Sequence, residues 1–177
     1  MTEAKWVYEH NSDNSARYIL GQPQGRVLAC IGINSSTAVP DDLDPTLKNV
    51  KKFSQIHGYD GWLMFNVYPQ RSTDPNGMHD ELDECEHKMN LKYIKQYLKK
   101  YDNVDIWAAW GTIIEKRSYL KEALTDIVDV INGFDVNWVT IGKLSVKGHP
   151  HHPLYLSHKT GISEFDVEQY IGTRQKF

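Results

Sequence analysis

Val27-Leu-Ala-Cys-Ile-Gly-Ile-Asn34-Ser-Ser-Thr-Ala38 decides the fold: an uncharged apolar run leads straight into an amide and three hydroxyls. A short apolar run that ends at a polar loop predicts a strand buried on both faces, as in a parallel sheet. Ligands of open α/β sheets collect at the carboxyl ends of the strands, so Asn34 is the first candidate for function.

Three later segments repeat the plan. Gly61-Trp-Leu-Met-Phe-Asn66 runs into a loop carrying Arg71, Val104-Asp-Ile-Trp-Ala-Ala-Trp110 ends at Gly111, and Val136-Asn-Trp-Val-Thr-Ile-Gly142 leads to a histidine cluster. Helical periodicity follows each of the first three strands. Asp44-Pro45 starts one helix, with Leu47, Val50, Phe53 and Ile56 on its face up to Gly58. A second is expected from about Asp80 to Lys100 with Leu82, Cys85, Met89, Tyr93 and Tyr97 inward. A third carries Ile113, Leu120, Leu124, Ile127 and Ile131 and stops near Asn132-Gly133. Proline at the first helical turn and Asn-Gly past the last are start and stop signals.

Alternating strands and helices predict an α/β fold, a three-layer α/β/α sandwich whose mostly parallel central sheet has four strands in the order 2-1-3-4. An N-terminal β-hairpin within residues 1–25 is expected from Trp6-Val-Tyr8 and Arg17-Tyr-Ile-Leu20 around Asn11–Ser15. Residues 163–177 read as one short helix with a loose end. No repeat or linker divides the 177 residues, so a single domain over 1–177 is expected, burying on the order of 70% of its extended surface.

The net charge of -3 argues against broad attraction to duplex nucleic acid but leaves a local basic rim open. Two cysteines, Cys30 and Cys85, make no disulfide framework. No basic leader or span of about 18 apolar residues is present, so a cytoplasmic protein with no membrane partner is expected.

At the rim, Ser35, Ser36 and Thr37 beside Asn34 offer hydroxyls and backbone N–H groups to an anion, a sugar or a water. The same hydroxyls could simply close the loop. Asp41, Asp42 and Asp44 read first as helix capping, with Asp42 and Asp44 as secondary candidates for the site. Asn66 can donate and accept at once, as recognition of a nucleobase edge requires, or serve as a turn residue. Arg71 suits a phosphate or plain solvent. Gly148-His149-Pro-His151-His152-Pro-Leu-Tyr155 is the densest polar cluster, and its prolines fix the backbone so that an imidazole can face the cleft. Its three histidines could in principle hold a metal, but the companion motifs of two-metal phosphoesterases are missing, and no metal or cofactor is expected. Neither a Gly-x-Gly-x-x-Gly nor a Gly-Lys-Ser/Thr phosphate loop is present.

Taken in order, the Gly-Ile-Asn-x-Ser-Thr-Ala loop, Asp-Asp-x-Asp-Pro-Thr46, Asn66 with Arg71-Ser-Thr-Asp-Pro75, Ala109-Trp110-Gly111 and Lys147-Gly-x-Pro-x-His152-Pro-Leu-Tyr155 resemble the domain of unknown function 1643 family over about residues 16 to 157. That family usually has proline at Ser35 and arginine at His151. More distantly, Gly32-Ile-Asn34, Phe65-Asn66, Trp110-Gly111 and His152-Pro-Leu154 are similar to the uracil-DNA glycosylase superfamily, although Asn34-Ser35 lacks the proline and glycine of the glycosylase loop.

The second resemblance implies roles: Asn34 positions a water, Asn66 reads a base edge, and His152 stabilises the departing base, with Tyr68 or Tyr155 to stack on it. Asn34 and His152 are thus the expected catalytic residues. Ser35, Ser36, Thr37, Asn66, Tyr68, Arg71, Trp110, Gly111, His149 and Tyr155 are expected to bind substrate. The expected function is a glycosylase-like hydrolase acting on a nucleotide, a nucleoside or single-stranded nucleic acid, including modified bases. The alternative is a non-catalytic module of the same fold that binds such a ligand.

Overall fold

Alternation along β3 (Val27–Ser35) sets the layers: Leu28 and Cys30 join one apolar core, while Ala29, Ile31 and Ile33 join the other. In the computed structural model, which describes residues 3–173, β3 runs parallel to both β4 (Gly61–Arg71) and β5 (Val104–Ala108). β5 in turn runs parallel to β6 (Val136–Ile141). The order β4-β3-β5-β6 is the expected 2-1-3-4.

The sheet is larger than the four strands read from the sequence. Among the described residues it has seven, in the mixed order β1-β2-β4-β3-β5-β6-β7. The N-terminal hairpin, β1 (Val7–His10) and β2 (Arg17–Gln22), continues the sheet, because β2 pairs antiparallel with β4 through Leu20↔Met64 to Gln22↔Trp62. β7 (Ile162–Glu164) adds an antiparallel strand beside β6, in a tail expected to be a helix alone. The tail helix does follow, and the expected loose end lies outside the described residues.

Among the described residues, four α-helices cover the two faces. α1 (Pro45–Ile56) packs Leu47, Val50 and Phe53 on Leu28, Cys30, Trp62, Met64 and Trp107. Its N-cap is Asp44, whose Oδ1 accepts from Leu47 N at 2.8 Å. α2 (Glu84–Leu98), α3 (Tyr119–Ile131) and α4 (Val167–Thr173) lie on the other face with Ile94, Leu98, Leu120, Leu124, Ile127 and Tyr170.

Two helix readings are corrected. α2 starts where Asp83 caps Glu86 N, four residues later than expected, and buries His87, Asn90, Ile94, Tyr97 and Leu98, leaving Cys85 exposed. Ile113 belongs to a separate 3-10 turn, Thr112–Glu115, ahead of α3. The end of α3 at Ile131, with Asn132 as its cap, is as expected.

Candidate active site

At the carboxyl ends of the parallel strands lies a cleft of about 610 Å³. Among its walls are Arg17, Asn34, Asn66, Trp110, Gly111 and His152, drawn from β2, β3, β4 and the segments after β5 and β6.

Asn66 lies on its floor. β4 does not end there, as the sequence suggested, but continues to Arg71, so Asn66 sits inside the strand opposite Gly32 of β3. Its Nδ2 donates to Ser35 Oγ at 3.2 Å, and Asn90 Nδ2 holds its backbone carbonyl from behind at 2.9 Å. Oδ1 is buried and has no partner among the described residues. A buried amide oxygen without a donor costs about 1–3 kcal/mol, which a ligand N–H can recover. Gly32 makes room for this oxygen: a Cβ there would fall 2.8 Å from Asn66 Oδ1 and 2.6 Å from Met64 Cε.

Asn34 is half-buried on the next turn of the wall. Its Nδ2 faces the backbone carbonyls of Ser35, Gln70 and Ser72 at 3.0, 3.4 and 2.8 Å. The amide hydrogens thus pin the loop, and Oδ1 is the atom left to orient a water or ligand.

His152 also lines the cleft. Leu154 N donates to its Nδ1 at 3.2 Å, so the neutral ring carries its proton on Nε2, for which no partner exists among the described residues. Burial holds this imidazole below its ordinary value, and the Asp44 carboxylate pulls weakly the other way. Gly111, at φ 65°, lets the chain after β5 pass the histidine: a Cβ there would lie 3.4 Å from His152 Cβ. The Tyr155 ring, 82% exposed, stands 6.1 Å from the His152 ring at the mouth.

Among the described residues Asp44 is the only carboxylate on the wall, and both its oxygens are engaged, one by Leu47 N and one by the Ser36 hydroxyl. Thr37 and Thr46 also line the cleft, with no side-chain partner among the described residues.

Of the twelve residues expected at the site, eight line the cleft: Asn34, Ser36, Thr37, Asn66, Trp110, Gly111, His152 and Tyr155. Trp110 is wholly buried and spends its indole N–H on Tyr170 Oη at 3.0 Å. The other four stand behind the wall. Ser35 is buried because the β3–β4 register shifts between Asn34 and Ser35, and its Oγ donates to Arg17 O at 2.8 Å. Tyr68 is buried with its Oη 2.6 Å from His79 Nδ1, where it also accepts from Asp83 N. Arg71 holds Ser36 O, Ala38 O and Tyr8 Oη. His149 is wholly buried, with Nδ1 2.7 Å from Tyr170 Oη and Nε2 2.8 Å from Glu115 Oε1. Glu115, hydrogen-bonded to His149 and to Lys147, is held below the usual carboxylate range. The histidines thus diverge, and no group of three or more His, Cys, Asp or Glu among the described residues is arranged to hold a metal.

Arg17 is the member that sequence reasoning missed. It is 1% exposed, and burial together with neighbouring Arg71 lowers it to about 10, against the pull of Asp44. A single charge opening the strand Arg17-Tyr-Ile-Leu20, where an apolar residue would serve the core, was the available signal.

Residues 17–154 match the family described as "Protein of unknown function (DUF1643)". The chain belongs to this family. The DUF1643 match takes in Arg17, Asn34, Asn66, Trp110 and His152 and stops one residue short of Tyr155. No curated protein and no solved structure matches this DUF1643 chain.

Proposed function

We propose that the cleft recognises a nucleobase and that the protein is a glycosylase-like hydrolase acting on a nucleobase-containing substrate. The observation that carries this reading is Asn66: its carbonyl oxygen on the cleft floor has no partner among the described residues, and its amide nitrogen, which spends one of its two hydrogens on Ser35 Oγ, keeps the other, so that together they complement the paired donor and acceptor of a base edge. Tyr155 at the mouth offers a ring to stack on, and His152 offers an N–H to the far side of the base.

Hydrolysis of the glycosidic bond then proceeds by departure of the base. The C1′–N bond breaks with its electron pair going to the base, and His152 Nε2–H donates a hydrogen bond to the charge that develops. A water held by Asn34 Oδ1 forms the new C1′–O bond, and its proton ends on the released base. The distant resemblance to uracil-DNA glycosylases supports the same assignment of roles, as an analogy of site and order.

A second reading is a binding module without turnover. It is favoured by Asp44, whose oxygens already serve Leu47 N and Ser36, so no uncommitted carboxylate among the described residues lines the cleft.

Incubation with uracil-containing single-stranded DNA and with free deoxynucleotides separates the readings. Released base, lost in Asn34→Ala and His152→Ala variants that keep their circular dichroism, supports the hydrolase. Binding without product supports the module, and neither binding nor release from any nucleobase compound overturns both.

A further inference from the structure

Arg17 is a charge in the wrong place for a purely structural role. Burying a guanidinium is costly unless it is paired and its donors are satisfied. Here Nη1 donates to Ala38 O at 3.0 Å, while Nε is buried with no partner among the described residues. No Asp or Glu of the described residues comes within the 4.0 Å of an ion pair with it.

A second guanidinium adds to the imbalance. Arg71 Nη1 donates to the same Ala38 O at 3.2 Å and to Ser36 O at 2.6 Å, and its Nε is also buried and unpartnered. Two positive charges therefore meet at one carbonyl, and Asp44, the single carboxylate on the wall among the described residues, already caps α1 and holds Ser36. Between the two held carbonyls, Thr37 lines the cleft, and Thr46 lines it from the first turn of α1. The helix N-terminus adds its partial positive charge at the same end.

We infer that the Arg17 end of the cleft is a phosphate subsite, so that the substrate is a nucleotide whose base lies toward Asn66 and whose phosphate lies toward Arg17, Thr37 and Thr46. Donors that arrive from a strand, a loop and a helix start suit the three terminal oxygens of a phosphate monoester better than the two of a carboxylate. Arg17 is the deep ligand, and Arg71 is a positioning residue that holds the Ser36–Ala38 backbone around it. This inference rests on the nucleobase reading for the other half of the ligand, and it can fail separately.

Calorimetric titration of the wild-type protein with the four deoxynucleosides, with their 5′-monophosphates and with inorganic phosphate tests it. The expected result is a monophosphate that binds at least tenfold tighter than its nucleoside and is displaced by millimolar inorganic phosphate. Arg17→Gln should abolish the preference, and Arg17→Lys should retain part of it. If Arg17→Gln does not fold, the wild-type comparison alone decides. Equal affinity for nucleoside and monophosphate, with no competition by phosphate, overturns the subsite and leaves the nucleobase reading standing. Phosphate binding without any preference for a base does the reverse, and no binding of any probe overturns both. A 5′-phosphorylated trinucleotide, compared with its unphosphorylated form, separates a terminal from an internal phosphate as the group held.

Discussion

Asn66 gives one of its two amide hydrogens to Ser35 Oγ at 3.2 Å, while its carbonyl oxygen, equally buried, meets no donor among the described residues. One side chain is thus half committed to the fold and half available to a ligand.

Replacing Asn66 by alanine should therefore separate stability from binding. The variant loses one long hydrogen bond and one unsatisfied acceptor together, and Ser35 keeps its bond to Arg17 O, so unfolding by urea should change by no more than about 1 kcal/mol. Affinity for the best nucleotide ligand of the wild type should fall about 5- to 150-fold, the cost of about 1–3 kcal/mol for a lost buried polar contact. A large loss of stability with unchanged affinity would show that the residue serves the fold alone.

Gly32→Ala probes the same oxygen without touching it. The new methyl would sit 2.8 Å from Asn66 Oδ1, so the amide must rotate away or Met64 must give. Weakened ligand binding at near-native secondary structure is the expected outcome. If a crystal structure of the variant shows Asn66 unmoved and calorimetry shows unaltered affinity, the close approach is irrelevant to function.

His152 predicts a pH dependence of defined sign. Burial lowers its folded value below the ordinary imidazole value of about 6.5, which the unfolded chain retains. Between those two values the unfolded state binds more protons, so this residue's contribution is complete above about pH 7 and is lost as the pH falls through that window. Urea midpoints from pH 7.5 to 5 should drop more steeply for the wild type than for His152→Asn. Parallel curves would mean that the imidazole titrates as it does in water.

Tyr170→Phe should destabilise without reaching the cleft. Its hydroxyl accepts from Trp110 Nε1 at 3.0 Å and lies 2.7 Å from His149 Nδ1, both wholly buried groups. Removing that oxygen leaves two polar nitrogens without it, a loss of about 1–3 kcal/mol for each that finds no substitute. A urea midpoint within error of the wild type would show that the two rings repair their bonds elsewhere.

The central parallel strands and their 2-1-3-4 order were legible because doubly buried strands carry unbroken apolar runs, as Val27–Ile33 does. β7 was not, because a three-residue strand has too few positions to show a period. Topology placed Asn34, Asn66 and the histidine cluster at one rim, and only the glycosylase resemblance singled out His152 within that cluster. Ser35 could not be told from Asn34, since the register shift that turns it inward is a backbone event with no side-chain signature. The face of α2 was misread for a related reason: it buries His87 and Asn90, polar residues that satisfy Asp126 and the β4 backbone, so apolar periodicity pointed to its flank.

The cleft gathers its walls from residue 17 to residue 155, and a chain that has lost its tertiary order has no remnant of it. Any compound that occupies it must therefore raise the melting temperature. At a hundred times its Kd, a ligand adds about 2.7 kcal/mol, or roughly 5–10 °C for a domain of this length. Heat alone can thus serve as the assay that finds the substrate before any reaction is known.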